Sequence, residues 1–195
     1  MAWSTYTAAG ALKTTEASGG YGTTLPASPV DGQEYTFVDS TTTPTYQWLF
    51  RYNAGSSNAD KWEFIGGAPY QISGAPNAIL NTGTQVAATA AYWFTGMSFT
   101  TPRAGVWIVE GTAELDPVAV VSTFAIGVFS DVTKDIDNSL RNMRPSAANE
   151  VHSIATSGRT ASLATSKLIG IAATGSSAAH KVIRASILIT PVRVS

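Results

Sequence analysis

From residue 34 onward the chain alternates apolar and polar positions with a period of two. In "TYQWLFRYN" (45–53), Trp48, Phe50 and Tyr52 project to one face and Gln47, Leu49 and Arg51 to the other; in "KWEFIGG" (61–67), Trp62 and Phe64 oppose Lys61 and Glu63. "EYTFVD" (34–39) carries the same alternation, and "DSTTTP" (39–44) and "NAGSSNAD" (53–60) read as loops. The pattern predicts a three-stranded antiparallel meander with an aromatic face. Three short strands are near the lower limit for independent stability, so that face needs a cover from elsewhere in the chain or from another subunit.

Upstream, Pro26, Pro29 and Gly32 punctuate the chain just before the first strand. Residues 1–24 mix small residues with isolated aromatics and cannot form a core of their own. Two readings stand: a floppy terminus, or an arm that orders on a partner through Trp3, Tyr6 and Tyr21, since aromatics supply contact area with few rotors to immobilise.

Two prolines and three further glycines follow residue 65, and residues 71–78 are expected to be a linker between a module at 25–70 and a second domain at 79–195. That second domain contains alternating or β-branched runs at 97–115, 118–131, 152–158, 161–174 and 180–194. Only 134–143 ("KDIDNSLRNM") admits a short helical turn. The fold class expected is all-β: an N-terminal arm and meander, then a jelly-roll sandwich, which limits exposed sheet edges.

Composition narrows the function. Charged residues are 13% of the chain, about half the usual share. Net charge is −1, and residues 1–75 and 76–195 carry −3 and +2. Without a clustered basic surface, nucleic acid is not an expected partner. With no cysteine there is no disulfide, thiolate nucleophile or Cys-type zinc site. No apolar run approaches the ~20 residues of a membrane helix, and the first residues lack a basic n-region, so neither membrane insertion nor classical export is expected.

No catalytic, metal or cofactor site is expected. His152 and His180 lie apart in polar-alternating strands, with no metal-ligand spacing, and no Gly-x-Ser-x-Gly elbow occurs. Asp131, Asp135 and Asp137 could offer oxygens to calcium, but without EF-hand spacing they read as a solvated loop. Tyr92, Trp93 and Phe94 are three consecutive aromatics that cannot all face inward from one strand, so at least one is expected to meet a neighbouring subunit or a ligand such as a host surface glycan.

The residues Leu25-Pro26, Pro29 to Glu34, Arg51-Tyr52, Lys61 to Phe64 and Gly66-Gly67, with the closing "ILITPVRVS" (187–195), resemble a module of tailed-bacteriophage virion proteins of the minor tail, fibre or head-surface kind. There the module precedes a β-rich C-terminal domain. "FTTPRAGVWIVEGTAEL" (99–115) is similar to the strand signature of tumour-necrosis-factor-like and complement-globular-head jelly rolls. The first resemblance implies a non-enzymatic structural protein on the virion surface, attached to a capsid or tail protein through residues 25–70, and the second implies a homotrimer. The alternatives are a carbohydrate- or receptor-binding adhesin and, last, a cell-wall hydrolase. Residues 186–189 are aliphatic where the cellular jelly rolls carry an aromatic-rich final strand.

Overall fold

The computed structural model describes residues 5–6, 12–13, 19–74, 92–116, 123–130, 134–135, 139–147, 149–175 and 181–195. The chain divides into two compact units, Met1–Ala68 and Pro69–Ser195.

The first unit contains β1 (Thr5–Tyr6), β2 (Leu12–Lys13), β3 (Gly20–Gly22), β4 (Glu34–Val38), β5 (Gln47–Tyr52) and β6 (Trp62–Ala68). β4, β5 and β6 form the expected antiparallel meander, with Phe37 opposite Trp48, and Tyr52 opposite Trp62. The aromatic face is present: Tyr46 stacks on Trp48 at 3.7 Å, Tyr52 lies 5.2 Å from Trp62, and Phe50 meets Phe64 edge-on at 6.2 Å. Phe37, Trp48, Phe50 and Trp62 are buried. Each such side chain withdraws enough apolar surface to contribute about 1.5–3 kcal/mol. The ladder shifts between Leu49 and Phe50, leaving Ile65 as the extra residue of a bulge. Next to it Gly67 holds φ +112°, where a Cβ would run into the Gln47 carbonyl.

The arm is not wholly separate from this sheet. Gly20–Gly22 pairs in parallel with β4, and Gly20 and Gly22 lie against the Tyr35 ring where a Cβ would collide with it. β1 and β2 pair antiparallel.

The second unit contains β7 (Tyr70–Gly74), β8 (Tyr92–Thr100), β9 (Gly105–Asp116), β10 (Phe124–Ser130), β11 (Lys134–Asp135), β12 (Arg141–Met143), β13 (His152–Arg159), β14 (Leu168–Gly175) and β15 (Lys181–Val194). Setting aside the two-residue β11, which pairs with β10, eight strands pair first with last: β7 with β15, β8 with β14, β9 with β13, β10 with β12. All four pairings are antiparallel. The ladders β9–β15 and β10–β14 join them into two sheets, in the orders β13-β9-β15-β7 and β12-β10-β14-β8. This nesting is a long hairpin wrapped on itself, the jelly roll.

The sandwich core follows from alternation. Trp107, Val109, Ala113 and Leu115 of β9 and Ile187 and Ile189 of β15 point inward, toward Ile169 and Ile171 of β14 and Phe124, Ile126 and Val128 of β10. Phe99 bridges Tyr70 and Trp107, with ring separations of 4.5 and 5.9 Å. Pro191 lies in β15 where the ladder to β9 shifts register, which suits a residue that cannot donate a backbone hydrogen bond.

Three local expectations are corrected. Residues 71–74, expected within a linker, extend β7 and pair with β15, because Ile72 fits the same alternation opposite Ile187; residues 75–78 lie outside the described residues. At the two ends of the 134–143 stretch, expected as a helical turn, Lys134–Asp135 and Arg141–Met143 form β11 and β12, since β10 offers an edge for both; residues 136–138 lie outside the described residues. Residues 161–167 are a loop with one bridge, Leu163 to Gly105, and β14 begins only at Leu168.

Candidate functional site

The punctuated segment before β4 is a closed turn. Gly32 takes φ +77°, Gln33 N–H donates to the Val30 carbonyl at 3.0 Å, and the Gln33 side-chain oxygen accepts from Val30 N–H at 3.1 Å. Gly32 N–H and the Gln33 carbonyl then bond to Tyr52, and Asp31 accepts from Ala54 N–H at 2.9 Å. Arg51 and Glu34 pair at 2.7 Å on the exposed side. The turn fixes where the meander begins.

In the second unit the 99–107 segment forms the β8–β9 corner. Buried Thr101 exchanges backbone hydrogen bonds with Lys167 and Ser166, and its hydroxyl accepts from Lys167 N–H at 2.9 Å. Gly105 and Leu163 bond in both directions at 2.8 Å. Buried Thr160 accepts from Trp107 N–H through its hydroxyl at 2.9 Å and donates its own N–H to the Trp107 carbonyl at 2.9 Å. Burial pushes the Arg103 guanidinium down from its ordinary value, and its Nε donates to the Ser195 carbonyl at 2.6 Å.

The outward face of the β13-β9-β15-β7 sheet carries a depression of about 390 Å³. One row across the four strands is Ser157, Glu110, Leu188 and Gln71, and the next includes Ala155, Thr112 and Ser186. Side chains in the second row are short, so the floor is low beside the longer Glu110, Leu188 and Gln71 of the first. Thr112 and Ser186 share a hydrogen bond of 2.7 Å across the β9–β15 ladder. Arg141 forms the rim. It reaches that place because Ser139 is clamped: the Ser139 hydroxyl accepts from Val128 N–H at 2.9 Å and donates to the Val128 carbonyl at 3.3 Å, and Thr156 of β13 donates to the Ser139 carbonyl. Glu110, Gln71 and Ser157 are exposed and take no partner among the described residues. This surface is not visible as a motif: the outward positions that form it, such as Glu110 and Thr112 of β9 and Ser186 and Leu188 of β15, alternate like those of any exposed strand face.

Of the side chains singled out from the sequence, Tyr21 is 49% exposed on β3. Tyr6 lies in β1; its side chain and Trp3 fall outside the described residues. Tyr92, Trp93 and Phe94 lie on β8, with Tyr92 opposite Ala173 and Trp93 opposite Ala172, next to a register shift between Gly170 and Ala172; their side chains are outside the described residues. Asp135 is in β11, while Asp131, Asp137 and His180 are not described. His152 is half-buried at the start of β13, 3.2 Å from Glu150. Glu150 is held below the usual carboxylate range chiefly by the Ser146 hydroxyl at 2.6 Å, against desolvation and with help from His152. Among the described residues no three His, Cys, Asp or Glu side chains converge as a metal site.

No protein-family model matches the chain, and no curated protein sequence matches it. Solved structures with a related outline include the EclA C-terminal domain, a sugar-binding protein, at 13% identity and TM-score 0.35, covering 70% of this chain and 89% of that one. The globular domain of zebrafish complement 1qA matches at 11% identity and TM-score 0.38, over 64% of this chain and 97% of that one. A Clostridium thermocellum xylanase fragment with CBM22-1 and GH10 modules, complexed with xylohexaose, matches at 9% identity and TM-score 0.31, over 85% of this chain and 26% of that one.

Proposed function

We propose that the chain is a non-catalytic structural protein displayed on the surface of a tailed-phage particle, as head decoration, head fibre or minor tail protein. In this reading the N-terminal unit is the attachment module and the jelly roll is presented as a homotrimer. One observation carries it: the residues behind both resemblances build the corners on which each unit depends. Asp31, Gly32 and Gln33 close the turn that opens the meander, and Phe99, Thr101, Gly105 and Trp107 form the β8–β9 corner of the jelly roll. Residues placed that way specify a scaffold rather than a reaction.

Two measurements test the reading. Washed particles of a phage that encodes the chain, analysed by quantitative mass spectrometry, should contain it at a fixed ratio to the major capsid protein, many copies for a head protein and few for a tail protein. Its absence from particles overturns the display role. The purified full chain should have the native mass of three 20.4-kDa chains; a monomer removes the trimer from the proposal.

A further inference from the structure

Particle display alone does not require the polar depression on the β13-β9-β15-β7 face, and its chemistry is specific enough to name a ligand class. We propose that it binds a neutral saccharide, with Glu110 and Arg141 as the principal hydrogen-bonding groups and Gln71, Thr112, Ser157 and Ser186 completing the contact.

Charge comes first. The lining holds one carboxylate and one guanidinium, so neither an anion nor a cation is favoured by net charge. What distinguishes the surface is its balance of donors and acceptors. Glu110 offers only acceptors and Arg141 only donors, while Gln71 and the three hydroxyls offer both. A pyranose presents neighbouring hydroxyls that each donate and accept, so a carboxylate can take two adjacent O–H groups and a guanidinium can donate to two oxygens. Leu188, between Glu110 and Gln71 in the same row, supplies the apolar floor that the C–H face of a sugar ring needs.

The site is held by strands rather than by a loose loop. Cross-strand pairing sets Ser157, Glu110, Leu188 and Gln71 in one line, and the Thr112–Ser186 bond locks the second row. The exception is Arg141, whose strand is tied to β10 through Ser139 and to β13 through Thr156. The backbone is therefore ordered before binding, and what a ligand must still order is the exposed side chains of Glu110, Gln71 and Arg141. A volume of about 390 Å³ falls within the range of small-molecule sites, about 300–1,000 Å³, and suits one or two sugar units at the end of a chain.

The test uses the full chain and saturation-transfer NMR with methyl glycosides of glucose, galactose and mannose, N-acetylglucosamine, and N-acetylneuraminic acid as the acidic comparison. At least one neutral sugar is expected to bind, at least tenfold more weakly to Glu110→Gln and to Arg141→Ala, with unfolding temperature and native mass unchanged. Thr156→Val, which releases the Ser139 tie, should weaken binding less and leave sugar selectivity intact. Three results would overturn the site: no neutral sugar of the panel binds, only the acidic sugar binds, or binding survives both charge variants. If instead Glu110→Gln and Arg141→Ala shift the native mass, the face is a contact with a second copy of the chain, and the saccharide proposal falls while the assembly reading stands.

Discussion

Gly111 on β9 and Ile171 on β14 face each other across the sandwich so closely that a Cβ on Gly111 would overlap the Ile171 side chain. The glycine sets the local distance between the two sheets, and the jelly-roll core closes around it. Gly111→Ala should cost about 1–3 kcal/mol, the usual penalty of overpacking, and Gly111→Val more. Chemical denaturation of both variants checks this, and Gly111→Ala combined with Ile171→Ala, which removes the Cγ2 and Cδ1 atoms that the new methyl would meet, should cost less than the sum of the two single variants. An unchanged midpoint for Gly111→Ala would mean that the sheets are free to separate.

Thr160 ties the β13–β14 loop to β9 by accepting the Trp107 N–H inside the protein. Thr160→Val keeps the shape and removes the acceptor, leaving a buried donor unsatisfied at a cost of about 1–3 kcal/mol. Thr160→Ser retains the hydroxyl and should recover most of that loss. Amide exchange at Trp107 reads the bond directly: it should speed up in Thr160→Val and stay slow in Thr160→Ser.

The first unit is held by its aromatic face. Trp48→Ala removes a fully buried ring that stacks on Tyr46 and lies beside Phe37, and should cost about 3–5 kcal/mol. Tyr21→Ala, at a half-exposed position on β3, should change stability by no more than about 0.5 kcal/mol. Two thermal unfolding curves compare these effects.

Asp39 provides a pH-dependent contact in the same unit. Burial pushes its carboxyl up, but the Thr45 hydroxyl at 2.5 Å and the Thr45 N–H at 2.8 Å, with further backbone donors, outweigh that and hold it below its ordinary value of 3.8. A carboxyl lowered in the folded state contributes stability that is fully present above its unfolded value and is lost as pH falls through the folded one. NMR titration should therefore place the Asp39 midpoint below 3.8 and move it upward in Thr45→Val. Neighbouring Tyr46 is shifted the other way, its hydroxyl raised by burial and by the Asp39 charge.

The period-two pattern made the meander legible because its two faces differ so sharply: Trp48 and Phe50 are buried, Gln47 and Arg51 exposed. β9 was legible for the same reason. β10 alternates in direction but is buried on both faces, so its sequence could not say which side meets the opposite sheet. β7 was missed because Gly66, Gly67 and Pro69 look like a linker, whereas the glycines serve a bulge and the strand begins immediately after the proline. The depression could not be read at all. Glu110, Arg141 and Gln71 come from distant parts of the chain and meet only through strand pairing and the Ser139 tie.

The nested strand order also sets a timetable for synthesis. Ile72 pairs with Ile187, so the earliest strand of the second unit has no partner until its latest strand has left the ribosome. Contacts of such long range close slowly, and open strand edges pair indiscriminately while they wait. This unit can therefore close only once Lys181–Val194 has been made, and its yield will depend more on how crowded the waiting strands are than on how fast they are made.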